Sequence, residues 1–179
     1  ARILRAYLEN GDGARDIAFV EEEMALGTAG ALRLLAGRFN EPAIVSNCDV
    51  LVAVNYRELM DFHVASGCAI TMVASAQSYR VPYGARSIND DGTLRGIEEK
   101  PELAMLANTG LYIVNPSVFD RIPEDEVYHM TNLIADLMQG DDSVAVFPVS
   151  SEAWVDIGQW EEYRRAARLM RSTVGPEDE

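Results

Sequence analysis

Asp49 and Asp156 are carboxylates set in apolar surroundings. Asp49 ends the run Ala43-Ile44-Val45-Ser46-Asn47-Cys48-Asp49 and has no basic neighbour; Asp156 sits in Trp154-Val155-Asp156-Ile157-Gly158, just before a helical pattern. Two carboxylates of this kind make a site for Mg²⁺, a hard cation that takes oxygen ligands and keeps waters and substrate phosphates in its other positions. Each also has a structural reading as the cap of a helix or turn, and Asp156 fits that role well.

Further along the chain, three stretches could hold a polar ligand. Gly27-Thr28-Ala29-Gly30 enters a helix and offers free backbone N–H groups to a flat ligand that glycine lets approach closely. Gly96-Ile97-Glu98-Glu99-Lys100-Pro101 sets acid beside base after a strand, and is equally readable as a solvated charge pair. Asn108-Thr109-Gly110 starts a strand and either donates an amide to a ligand or closes a turn. Lys100 is the only lysine among fifteen basic side chains. Where arginine is otherwise used throughout, a retained lysine suggests a need for a compact ammonium rather than a planar fork.

The elements that must position these residues follow from periodicity and punctuation. Ala1 to Leu8 has helical spacing and stops at Asn10-Gly11-Asp12-Gly13. Ile17 to Glu22 reads as a short strand, and the helix begun at Gly27 runs through Leu32 and Leu35. Ala43 to Asn47 is the next strand. Asn55 caps a helix with the stripe Tyr56, Leu59, Met60 and His63, ended by Gly67; His63 is expected as a packed, hydrogen-bonded core histidine. Ala69 to Ala76 is a strand. A hairpin turning at Asp90-Asp91-Gly92 is expected to insert antiparallel strands at one edge of the sheet. Thr109 to Asn115 and Val144 to Val149 complete the strands, with helices over 116–122 and 131–138. A last helix carries Trp160, Tyr163, Ala167 and Met170 on one face. Strands alternating with helices imply βαβ crossovers and a mainly parallel sheet, an α/β fold.

The formal net charge of −14 argues against non-specific binding to nucleic acid or to an anionic membrane. A phosphorylated small molecule is compatible with it, given a metal ion or a local cation. No apolar run approaches the ~18 residues of a membrane span. Cys48 and Cys68 have no metal-ligand or redox spacing and are expected as reduced, buried thiols of a cytoplasmic protein.

Six segments occur in order: Leu26-Gly27-Thr28-Ala29-Gly30-Ala31-Leu32, Val45-Ser46-Asn47-Cys48-Asp49-Val50-Leu51, Pro82-Tyr83-Gly84, Glu98-Glu99-Lys100-Pro101, Asn108-Thr109-Gly110-Leu111-Tyr112-Ile113-Val114-Asn115-Pro116 and Trp154-Val155-Asp156-Ile157-Gly158. This order resembles the sugar-phosphate nucleotidylyltransferase family, from Leu26 to Tyr163, and most closely its mannose-1-phosphate guanylyltransferases and their bacterial relatives. The resemblance implies a three-layer, doubly wound, mainly parallel mixed sheet of the Rossmann-like nucleotide-diphospho-sugar transferase type. It implies Mg²⁺ held by Asp49 and Asp156, a nucleobase approached by the backbone at Gly27 and Thr28, a sugar contacted by Gly84, Glu99 and Asn108, and a sugar phosphate met by Lys100. The partners implied are a nucleoside triphosphate and a sugar-1-phosphate, with GTP and mannose-1-phosphate leading; homo-oligomerisation is left open.

Two departures from the family pattern stand out. Cys48 replaces a glycine, so its side chain either crowds the nucleotide or points inward. The glycine-rich signature loop that cradles the triphosphate, with the first strand and helix, is expected upstream of Ala1. Residues 1–174 then form a nucleotidyltransferase domain lacking that loop and inactive alone, and 175–179 an acidic tail. Two other readings are open: a regulatory domain that binds nucleotide sugars without turnover, and a metal-dependent glycosyltransferase. The latter usually carries two aspartates flanking one residue, unlike Asn47-Cys48-Asp49.

Overall fold

The computed structural model describes residues 2–9, 17–158, 160, 163 and 164. The elements in chain order are α1 (Arg2–Glu9), α2 (Gly27–Gly30), a 3₁₀ turn (Ala31–Leu35), β1 (Ala43–Ser46), β2 (Val50–Val52), α3 (Tyr56–Ser66), β3 (Ile70–Arg80), β4 (Ala85–Ile88), β5 (Leu94–Glu98), β6 (Glu102–Val114), α4 (Pro116–Phe119), α5 (Met130–Gln139), β7 (Val144–Val149), a second 3₁₀ turn (Ser151–Ala153) and β8 (Trp154–Asp156).

The main sheet has the order β1-β6-β3-β7. Strands β3 and β7 pair in parallel, whereas β6 pairs antiparallel with both β1 and β3, so three strands share one direction and β6 opposes them from inside. The reason is local. Strands β3 and β6 are the two arms of one long hairpin, paired from Arg80↔Glu102 onward and closed by Val81 N–H donating to Pro101 O at 3.0 Å. A connection without a crossover helix returns antiparallel. The excursion between the arms carries β4 and β5, which form their own two-stranded sheet rather than joining an edge of the main one.

Strand β6 shows why the sheet is covered on both sides. Successive side chains point to opposite faces. Tyr112 and Val114 enter a core with Ile70, Phe119, Leu133 and Leu137, under α4 and α5. Leu111 and Ile113 enter a second core with Leu59 and Val73, under α3. The three layers are thus helix, sheet and helix.

Helix α3 begins and ends as its sequence dictates. The Asn55 side chain accepts from the N–H groups of Arg57 (3.1 Å) and Glu58 (3.4 Å), and Gly67 stops the helix at φ 64°. His63 is buried, with Nδ1 at 2.8 Å from Thr71 Oγ1 and Nε2 at 3.0 Å from Asn115 Oδ1. Because the Asn115 amide nitrogen donates to Cys68 O, its oxygen accepts from His63 Nε2–H. Asn55→Ala is expected to cost about 1 kcal/mol, read as a fall in Tm of roughly 2–4 °C for a chain of this size.

Of the three pairings in the main sheet only β3 with β7 is parallel, so the sheet is mixed rather than mainly parallel, and the hairpin forms a separate sheet rather than an edge. Two further expectations differ from the fold. Ile17 to Glu22 forms no strand: no sheet includes it, and Ile17 and Val20 are exposed. A β pattern without a neighbour to satisfy its backbone groups stays irregular. Cys68 is buried as expected, but Cys48 is exposed, because residues 48 and 49 form the turn between β1 and β2. The Asn10–Gly13 stop, the Ala167 and Met170 part of the last stripe, and the acidic tail lie outside the described residues. No helix among the described residues is long and apolar enough to cross a membrane.

Candidate active site

A bulge in β6 organises one side of the site. Between Met72 and Ala74 the partner positions on β6 jump from Tyr112 to Asn108, so Thr109, Gly110 and Leu111 oppose Val73 alone. Extra residues bend a strand and leave backbone groups to be satisfied locally. Here Gly110 takes φ 81°, Thr109 Oγ1 donates to Val73 O at 2.8 Å, and Leu111 N–H donates to Thr109 Oγ1 at 3.3 Å. The Asn108 amide closes the bend: its oxygen accepts from Gly110 N–H at 3.1 Å and its nitrogen donates to Tyr112 Oη at 2.6 Å. Burial pushes the Tyr112 phenol above its ordinary pKa, and the Asn108 hydrogen bond partly offsets this.

The bulge also anchors the end of β1. Asn47 N–H donates to Gly110 O at 2.9 Å, and the Asn47 amide lies against the glycine, where a Cβ would come within 2.7 Å of Nδ2. From Asn47 the chain turns through Cys48 and Asp49 into β2. The only non-glycine residues with positive φ among those described are Lys100 and Asp125, so the backbone at Cys48 does not require glycine.

Strand β2 pairs antiparallel with β8, with Val50 opposite Asp156, and Ile157 N–H donates to Asp49 O at 2.8 Å. This ladder brings the two aspartates together. A Cβ built on Gly158 would sit 3.1 Å from Asp49 Oδ2 and 3.1 Å from Asp156 Oδ1. The glycine thus leaves open a small cradle walled by two carboxylate oxygens. Asp156 Oδ1 also accepts from Gly158 N–H at 2.9 Å, so it serves its turn as well as facing Asp49. No third His, Cys, Asp or Glu joins them among the described residues. One or two carboxylates with the remaining positions left to water and phosphate is a donor set that fits Mg²⁺.

Gly84 and Glu99 also meet: a Cβ on Gly84 would lie 2.9 Å from Glu99 Oε2. Lys100 follows in the left-handed region at φ 50°, away from the extended conformation that a following proline favours. Such a backbone costs on the order of 1–3 kcal/mol and is held only where the surroundings impose it. No ion pair joins Lys100 to a carboxylate among the described residues, which leaves its ammonium available.

The Gly27 loop departs from expectation, because most of its N–H groups are already used. Ala29 and Gly30 N–H both donate to Tyr128 O at 3.0 Å, Thr28 N–H donates to His129 Nδ1 at 3.4 Å, and Thr28 Oγ1 accepts from Met130 N–H at 2.9 Å. Gly27 is required on two counts: its φ is 81°, and a Cβ would meet Tyr128 O at 2.7 Å. Tyr128 is itself fixed, its hydroxyl donating to the Asp136 carboxylate. Burial, then that carboxylate, pushes its pKa up to about 12, so the hydroxyl stays a donor. The loop presents a shape rather than a row of free donors.

The structure therefore brings together Asp49 with Asp156 and Gly84 with Glu99, and it joins the bulge that Asn108 opens to the end of β1 through Gly110; Gly27 and Thr28 are held separately by residues 128–130. Gly110, Gly158, Asn47 and Tyr112 are parts of the site that sequence reasoning did not single out. Positive φ leaves a signal at Gly110, inside Asn-Thr-Gly. The contact of His129 with Thr28 spans 101 positions and leaves none.

The family described as nucleotidyl transferase matches residues 1–173. The chain is 29% identical over 164 residues to the mannose-1-phosphate guanylyltransferase catalytic subunit beta of Drosophila melanogaster, covering 89% of this chain and 44% of that protein. It is 28% identical over 175 residues to the mannose-1-phosphate guanylyltransferase of Mycobacterium tuberculosis, covering 94% and 49%. The chain thus spans about half the length, or less, of the curated relatives it matches. Among solved structures, HddC from Yersinia pseudotuberculosis, in a complex with GMP-PN, superposes with a TM-score of 0.66 at 20% identity, covering 94% of this chain and 73% of that one. That likeness supports the α/β fold.

Proposed function

The chain belongs to the nucleotidyl transferase family, among the sugar-phosphate nucleotidylyltransferases, and from that premise we propose that the protein containing it joins a nucleoside triphosphate to a sugar-1-phosphate. A phosphate oxygen of the sugar-1-phosphate attacks the α-phosphorus in line. The bond from that phosphorus to the pyrophosphate oxygen breaks, so a nucleotide sugar forms and pyrophosphate leaves. The observation that carries this reading is the convergence of Asp49 and Asp156 on the cradle left by Gly158.

Both reactants are anions, so catalysis here is positioning plus neutralisation of charge, without a covalent intermediate. Asp49 and Asp156 would hold Mg²⁺, which when bound neutralises and orients phosphate oxygens. Lys100 sets an ammonium against the sugar phosphate. Glu99 accepts from sugar hydroxyls, and the exposed Asn108 amide donates to one. Gly84 keeps clear the space that the Glu99 carboxylate fills. Gly27 and Thr28 present backbone to the nucleobase. GTP and mannose-1-phosphate lead as substrates because the relatives just described carry those specificities in their names. These substrates and the buried thiol of Cys68 suit the cytoplasm.

The test is pyrophosphate release by the full-length protein with Mg²⁺, over four nucleoside triphosphates and several sugar-1-phosphates. Turnover with one pair, GTP and mannose-1-phosphate first, is expected. A folded protein that binds nucleotide sugars yet releases no pyrophosphate with any pair would overturn the reading in favour of a regulatory domain.

Gly84→Ala separates recognition from folding. The new methyl would displace only the flexible end of Glu99, so Tm should hold while KM for the sugar-1-phosphate rises about tenfold, the loss of one hydrogen bond to a charged group. An unchanged KM would remove Glu99 from the sugar site.

A further inference from the structure

We propose that Tyr112 is a positioning residue for sugar-phosphate recognition, its phenol oxygen setting the orientation of the Asn108 amide from inside the core. The proposal rests on the reading of Asn108 as a sugar contact. Residues four apart in a regular strand lie too far apart to touch. Asn108 and Tyr112 meet at 2.6 Å because the bulge at Thr109 and Gly110 folds the strand back between them.

Two contacts then agree on one amide orientation. Gly110 N–H needs an acceptor and takes the Asn108 oxygen; Tyr112 Oη accepts from the nitrogen. Rotating the amide by half a turn would set N–H against N–H at Gly110. What stays free on the exposed side is one amide proton and one oxygen lone pair. The phenol oxygen is a fixed reference, because the ring is only 4% exposed and packs with Ile70, Val114 and Phe119. An exposed ligand-binding amide is therefore oriented from the rigid part of the sheet as well as by its own bulge, as precise sites require.

Tyr112→Phe removes the oxygen and leaves the ring. With GTP and mannose-1-phosphate as probes, KM for the sugar phosphate is expected to rise about five- to tenfold, the worth of one neutral hydrogen bond, while KM for the nucleotide stays within about twofold, the size of a neutral change. A merely structural role would lower Tm and move both constants together, and that result would overturn the proposal. Asn108→Ala, at an exposed position, supplies the second arm. If it raises the sugar-phosphate KM and Tyr112→Phe does not, the positioning role fails while the sugar reading stands. If Asn108→Ala changes nothing, the sugar reading fails and the proposal goes with it. Tyr112→Phe placed on Asn108→Ala should add nothing to KM; additive losses would show that the two act independently. A wild-type protein silent toward the probe pair removes reading and proposal together.

Discussion

Replacing Gly110 by alanine is expected to destabilise the protein by about 3 kcal/mol and to disable both halves of the site at once. Part of the loss is backbone: a residue with a Cβ held at φ 81° costs about 1–2 kcal/mol. The rest is packing. The new methyl would lie 2.7 Å from Asn47 Nδ2, 3.0 Å from its Cγ and 3.3 Å from its Cβ. Rotating the amide cannot clear all three, because the Asn47 Cβ is fixed by the backbone. Asn47 must retreat, and its N–H bond to Gly110 O is what ties the Asp49 turn to the sheet. Overpacking of this kind costs about 1–3 kcal/mol. Gly67→Ala isolates the backbone share, since Gly67 has φ 64° and nothing within 4 Å of its missing Cβ. The two variants are compared by thermal unfolding, where each kcal/mol is worth roughly 2–4 °C in Tm. A Gly110→Ala protein no less stable than Gly67→Ala would show that the contact with Asn47 contributes nothing.

That contact also marks where sequence reasoning stops. Local chemistry was readable: Asn55 and Gly67 delimit α3, and Asp90-Asp91-Gly92 turns the hairpin, where Gly92 takes φ 83° and Asp91 Oδ1 accepts from Thr93 N–H. The placement of Asp49 and Asp156 outside regular hydrophobic patterning was readable too, because a carboxylate among apolar residues must answer to something. Long-range pairings were not. Asn108-Thr109-Gly110 looks like the start of a strand, since Asn, Thr and Gly break the apolar run, yet β6 begins at Glu102 and these residues form its bulge. The N–H groups after Gly27 look free because their acceptors, Tyr128 O and His129 Nδ1, are about a hundred residues away. Ile17 to Glu22 shows the converse: strand-forming residues specify a strand only when another strand lies beside them, and periodicity does not report neighbours.

The second large effect should separate catalysis from stability. Asp49→Asn is expected to lower kcat/KM for pyrophosphate release about a thousandfold, or about 4 kcal/mol in the transition state, without loss of Tm. The position needs its backbone for the fold, through Ile157 N–H donating to Asp49 O, and asparagine preserves that bond. The side chain has the opposite relation to stability. Oδ2 of Asp49 and Oδ1 of Asp156 lie on one small cradle, no more than about 6 Å apart, where two negative charges repel. Neutralising one should leave Tm unchanged or raise it slightly, as happens when a site built for function is relieved of its strain. Mg²⁺ supplies a readout independent of turnover. Binding at a hundred times Kd stabilises a protein by about 2.7 kcal/mol, so the wild type should gain Tm with added Mg²⁺ and Asp49→Asn should gain little. Asp156→Asn should behave alike, because asparagine keeps an oxygen to accept from Gly158 N–H while losing the charge. If either variant kept near-wild-type turnover and the same Mg²⁺-dependent rise in Tm, the paired carboxylates would be turn formers only, and the catalytic reading of the cradle would be wrong.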